Sequence, residues 1–165
     1  STIISVETEI DEKDLADFHD LLGQLSANAP HPDFEQVKRM FEQPGFHLVV
    51  ARTSASEEGD GGEGVPVSSG ARLSGMLSLV VFDIPSGRRA RIEDVVVHRD
   101  RRGRGLARGM SMHAISLAGK LGARSLDLTS SPSRKAANAL YRSLGFDLRE
   151  TNLYRLSPGS VPDPE

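Results

Sequence analysis

Between Arg91 and Ser130 the apolar pattern changes its period twice, and this stretch constrains the fold more than any other. "RIEDVVVH", Arg91 to His98, reads as a strand, and its three consecutive valines imply burial on both faces. "RDRRGRG" follows at once, too rich in arginine and glycine to be core. From Gly105 the apolar residues take helical spacing, with Leu106, Met110, Ala114, Leu117 and Leu121 as a stripe and Gly122 as the stop. "RSLDLTS", Arg124 to Ser130, is a second strand. A strand–helix–strand unit with short connections requires parallel, right-handed pairing of the Val95 strand with the Leu126 strand.

The remainder fits around that unit. Thr2 to Glu7 reads as a first strand. Asp11 caps a helix running to about Ser26, with Leu15, Phe18, Leu22 and Leu25 on its buried face. "ANAPHPD" breaks it, and a second helix covers Asp33 to Glu42. Strands are expected over Phe46 to Arg52 and Arg72 to Ile84, with "PSGRR" as a turn. Residues 53–70 are glycine, serine and acid and read as a flexible hairpin loop. Ser131 and Pro132 suit the start of a last helix closed by Gly145, and "FDLRETNLYRL" suggests one or two closing strands. The expectation is an α/β domain over 1–157, a mixed sheet of six to seven strands with helices on both faces, and a disordered tail over 158–165.

The 165-residue chain has no cysteine, so disulfides, thiolate metal sites and a cysteine nucleophile are excluded. The five histidines lack metal-ligand spacing, and no metal is expected. No segment reaches the ~20 apolar residues of a membrane helix, and "STIISVETEI" has neither a basic flank nor a long apolar run, so no signal peptide is expected and a cytoplasmic protein without a membrane partner is the default reading. Charge is uneven. Eight arginines against Glu93, Asp94 and Asp100 give Arg88 to Arg108 a net of +5, within a chain of net charge −3. One positive patch without stacking aromatics suits a compact anionic ligand and argues against nucleic acid.

The turn shows how such an anion would be held. A helix N-terminus carries unsatisfied amides and partial positive charge, and Gly103 and Gly105 allow close backbone approach. Neither the Gly-Lys-Ser/Thr of a phosphate-binding loop nor the three-glycine dinucleotide spacing is present. However, Arg102-x-x-Gly105-x-Ala107 matches the Arg/Gln-x-x-Gly-x-Gly/Ala signature of the GNAT N-acetyltransferases, and "AANALYRSLGF", Ala136 to Phe146, resembles the helix that follows in that family.

That resemblance implies acetyl-CoA as cosubstrate and splayed central parallel strands. It places a diphosphate on the amides of Arg102, Gly103, Arg104, Gly105, Leu106 and Ala107, with Arg108 close by, and a pantetheine arm along Val95, Val96 and Val97. It implies direct acetyl transfer to a primary amine, with Tyr141 as the acid that protonates sulfur. The alternative for Tyr141 is a space-filling core residue. Glu93 is the candidate base; the alternative is an ion pair with Arg91 or with an arginine from outside the strand. Strand alternation predicts Glu93, Val95 and Val97 on one face and Asp94 and Val96 on the other. "IED" before valines also resembles aminosugar-phosphate acetyltransferases. Many relatives carry asparagine where Arg134 stands, so Arg134 or Asn138 is expected at the cofactor. His98 reads either as a site-lining or as a surface residue. A small-molecule acceptor is expected; a protein lysine or N-terminal acetyltransferase and a non-catalytic acyl-CoA sensor are the alternatives, and a sheet-edge homodimer stays open.

Overall fold

The computed structural model describes residues 1–54 and 70–164. The expected hairpin loop lies almost wholly outside the described residues. The chain divides into two compact units, Ser1–Ser131 and Pro132–Glu165.

The first unit is built on a five-stranded sheet in the order β1-β2-β3-β4-β5. β1 (Thr2–Glu7), β2 (Phe46–Thr53), β3 (Arg72–Ile84) and β4 (Gly87–Val97) are antiparallel neighbours. β5 (Ser125–Asp127) joins β4 in parallel, as the strand–helix–strand pattern requires.

Each face of the sheet is covered. After one 3₁₀ turn, Glu12–Asp14, α1 runs Leu15–Leu25, and α2 runs Phe34–Glu42. Asp33 starts α2 with a capping box: its carboxylate accepts the Gln36 N–H at 2.8 Å, and the Gln36 side chain accepts the Asp33 N–H at 2.8 Å. Phe18, Leu21, Leu22 and Val37 pack against Leu48, Val50, Leu73, Met76 and Val96, forming one core. α3 (Leu106–Lys120) covers the opposite face. Its Met110 Cε would lie 3.0 Å from a Cβ added at Gly75, so glycine there lets helix and sheet approach closely. The buried line of α3 is Leu106, Met110, Ser111, Ala114 and Ala118; Leu117 and Leu121, expected in the stripe, are only half-buried.

The second unit contains α4 (Lys135–Ser143) and one 3₁₀ turn, Pro158–Ser160. Three expectations are corrected. α4 starts after Arg134, not at Ser131-Pro132, and no side chain caps it. Among the described residues the sheet has five strands rather than six or seven. "FDLRETNLYRL" forms no strand: Leu148, Leu153, Tyr154 and Leu156 are all exposed, so the alternation that suggested strands covers no core.

Candidate active site

β4 is interrupted where the chemistry was expected. Ser78 pairs with Glu93, but Met76 pairs with Val96, so β4 carries one residue more than β3 between them. That residue is Asp94, whose φ of 53° is the one positive value outside glycine among the described residues. Such a bulge re-aims side chains. Cross-strand partners share a face, so Glu93 lies with Ser78 and Leu48 on the face of α1 and α2. Val96 is on the same side, and Ile92, Val95 and Val97 are on the other. The expected grouping of Glu93 with Val95 and Val97 is therefore wrong, because strict alternation ignores the bulge.

The bulge leads into an open strand edge. β5 pairs only with Arg89 to Arg91. Beyond that, residues 92–97 of β4 have no strand partner on that side among the described residues. The His98 N–H donates to the Ser74 carbonyl at 2.8 Å, which turns the main chain of His98 and Val96 toward β3. The N–H and C=O groups of Val95 and Val97 therefore point to the open edge. Val96 was expected beside them, but its polar backbone faces β3 and its side chain is buried. The Val97 carbonyl accepts from Arg102 Nε at 3.2 Å, tying the turn back to the strand end.

The turn itself meets the requirements for anion binding. Gly103 has φ 75° and Gly105, the N-cap of α3, has φ 78°. No side chain caps α3, and an added Cβ at either glycine would meet nothing within 4 Å. Among the described residues, the amides of Gly103, Arg104, Gly105, Leu106 and Ala107 find no backbone acceptor. Consecutive unsatisfied donors at an open helix mouth fit a diphosphate. The positive patch is split. Arg88, Arg89 and Arg91 sit at the start of β4, about 20–35 Å along the strand from the turn at ~3.3 Å per residue. There Arg88 holds Asp83 at 2.7 Å, and Arg89 donates to Ser125 and Ser86, both at 3.1 Å. Arg99 to Arg108 keeps five arginines against Asp100.

Two adjacent carboxylates occupy the bulge. Glu93 accepts from Arg91 Nε at 3.0 Å, the ion pair named as its alternative role. Asp94 is solvent-exposed, yet partial burial of its carboxyl, and then the charge of Glu93, raise its pKa above the ordinary aspartate value. A cleft of ≈ 270 Å³ beside α2, walled by Ile10, Phe34, Val37 and Phe41, includes no residue of β4 or of the glycine turn.

In the second unit Arg134, Asn138 and Tyr141 lie at the start and along one side of α4. The Arg134 carbonyl accepts from Asn138 Nδ2 at 2.8 Å, so that amide serves the helix end. Tyr141 is 7% exposed and makes an edge-to-face contact with Phe146, with ring centroids 5.9 Å apart. Burial raises its phenol pKa above the usual tyrosine value, and the Arg134 charge offsets part of that, so the phenol stays protonated near neutrality.

A family model described as "Acetyltransferase (GNAT) family" matches residues 18–146. The chain belongs to the GNAT acetyltransferase family. Its members use acetyl-CoA as acyl donor. The fold agrees with that of an acetyltransferase from Trypanosoma brucei (24% identity, TM-score 0.72, covering 95% of this chain and 99% of the other). It is likewise similar to glucosamine-6-phosphate N-acetyltransferase from Arabidopsis thaliana (19%, TM-score 0.69, 93% and 98%). A third similar structure is the ribosomal-protein-alanine N-acetyltransferase from Brucella melitensis (18%, TM-score 0.66, 95% and 99%). Among curated proteins, none matches this GNAT chain in sequence. No helix among its described residues is long and apolar enough to cross a membrane.

Two features escaped sequence reasoning. The bulge left only a faint signal, an Ile-Glu-Asp run in which two carboxylates interrupt a buried strand. His98, expected as a site-lining or a surface residue, is half-buried and bonded on both ring nitrogens, and nothing local in the sequence shows its partner Asp20.

Proposed function

We propose that this GNAT protein transfers the acetyl group of acetyl-CoA directly to the primary amine of a small cationic molecule. One observation carries the reading: an open strand edge at Val95 and Val97 leads, through the turn Arg99–Arg101, to the amides of Gly103 to Ala107, which find no backbone acceptor among the described residues. A pantetheine arm suits the first, through main-chain pairing, and a diphosphate suits the second. Arg102 and Arg104 contribute their amides to the grip, and Arg108 adds positive charge. Arg134 and Asn138 are proposed to contact the cofactor from α4.

The chemistry needs no enzyme nucleophile. The amine nitrogen forms a bond to the thioester carbonyl carbon, and the carbon–sulfur bond breaks. Glu93, through water, takes the proton lost by the amine. Tyr141, kept protonated by burial, supplies one to the departing sulfur. The Val95 amide stabilises the carbonyl oxygen as charge develops. At the bulge Glu93 and Asp94 against Arg91 leave one net negative charge, which favours a cationic acceptor.

The test is a panel of amines assayed for free thiol released from acetyl-CoA. Turnover with small primary amines is expected. Tyr141→Phe should keep the thermal shift given by coenzyme A and lose ~10²–10⁴-fold in rate. Glu93→Gln should flatten the acidic limb of the pH–rate profile. Absence of any thiol release, together with absence of a thermal shift, overturns the reading.

A further inference from the structure

We propose that His98 is a positioning residue that sets the geometry of the diphosphate-binding turn by pinning it to α1. The inference rests on the reading of Gly103 to Ala107 as the cofactor cradle.

The support is a row of polar side chains along one side of α1. Asp14, Asp17 and Asp20 are spaced three residues apart and Gln24 four further on, so they follow one helical face. Each one reaches a different point along the same end of the sheet. Asp14 binds Arg52 of β2 at 2.9 Å. Asp17 accepts from Arg72 at 2.8 Å and from the Leu73 N–H at 3.2 Å, where β3 begins. Asp20 Oδ2 meets His98 Nε2 at 3.1 Å, immediately after β4. Gln24 Oε1 accepts the Arg99 N–H at 2.8 Å. The last two contacts fall on the only connection between β4 and the cradle.

His98 is held from several directions. Its N–H donates to Ser74 at 2.8 Å, and its carbonyl accepts the Arg101 N–H at 2.8 Å. Its Nδ1 accepts the Asp100 N–H at 3.2 Å, capping the 3₁₀ turn Arg99–Arg101. With Nδ1 taken up by the Asp100 N–H, Nε2 is the ring nitrogen that faces the Asp20 carboxylate. One imidazole thus joins α1 on one side to the first turn of the cradle loop on the other. Gly103 and Gly105 have no side chains to hold their shape, and their amides find no backbone acceptor. Their aim depends on where the preceding turn is fixed, and His98 holds it together with Gln24 and the Arg102–Val97 contact.

Two substitutions separate its two bonds. His98→Asn keeps an acceptor near the Nδ1 position and loses the reach to Asp20. His98→Gln keeps a donor near the Nε2 position and loses the cap. The readout is kcat/KM with acetyl-CoA compared with S-acetyl-pantetheine, a donor that lacks the diphosphate. His98→Gln should lose about tenfold with acetyl-CoA (about 1.4 kcal/mol), mainly in KM, and leave S-acetyl-pantetheine nearly unchanged. His98→Asn, which breaks the link to α1, should lose as much with acetyl-CoA and equally spare S-acetyl-pantetheine; an Asn variant at the wild-type level overturns the pin to α1. A purely structural histidine would lower the melting temperature and affect both donors equally; equal losses, or no loss, overturn the proposal. If the wild-type protein does not prefer acetyl-CoA over S-acetyl-pantetheine, the cradle reading itself has failed.

Discussion

Gly105→Ala perturbs the cradle with little other damage. Gly105 is the N-cap of α3 at φ 78°, and an added Cβ would meet nothing within 4 Å. The fold therefore loses only the strain of a left-handed non-glycine residue, about 1 kcal/mol. For a chain of this size that lowers the melting temperature by ~2–4 °C. Binding should suffer more, because relief of the strain rotates the Gly105 and Leu106 amides away from a common point. Coenzyme A at a hundred times its Kd stabilises by about 2.7 kcal/mol, a shift of ~5–11 °C. Tenfold weaker binding at the same concentration leaves about 1.4 kcal/mol, so the shift falls by about half. Differential scanning fluorimetry, with and without coenzyme A, measures both numbers on one sample. A variant that melts lower alone but keeps the full coenzyme A shift would refute the role given to these amides.

Other expectations follow from the same geometry. Burial alone would raise the pKa of Asp14, but hydrogen bonds and charge from Arg52 outweigh it and hold it below the ordinary value. The stability this confers is present above the unfolded-state pKa and lost as pH falls through the folded one. Asp14→Asn should thus cost about 2 kcal/mol near neutrality, less than a fully broken buried pair because Arg52 keeps Glu7. Its melting temperature should also fall less steeply on acidification than that of wild type, as pH-dependent calorimetry would show. Asp94→Val should destabilise by ~1–3 kcal/mol, since a β-branched residue resists positive φ, whereas Asp94→Gly should cost nothing; equal denaturant midpoints for the two would show that the bulge is not strained.

Much of the architecture was legible because it follows local rules. The period change at Gly105, the helix over Asp33 to Glu42 and the stop at Gly122 each depend on residues within a turn or two of one another. The cradle was legible for the same reason: two glycines and a helix start are contiguous. The arginines illustrate the limit, since a run of like charge in sequence spreads out along an extended strand, and Arg88, Arg89 and Arg91 end far from Gly105. The bulge at Asp94 depends on cross-strand register with Ser78 and Met76, which no local pattern encodes. His98 and Asp20 are 78 residues apart, so their contact exists only once the sheet and α1 are assembled. The closing segment misled because alternation at Phe146 to Leu156 resembles a half-buried strand, yet Leu148 and Leu153 stay in solvent.

Amide hydrogen exchange across Arg102 to Arg108, with and without saturating coenzyme A, tests the central claim most directly. Gly103 to Ala107 should exchange rapidly in the free protein, because their N–H groups lack backbone acceptors, and should slow by at least ~10-fold with coenzyme A bound. Unchanged exchange there, with protection arising elsewhere in the chain, would contradict the account.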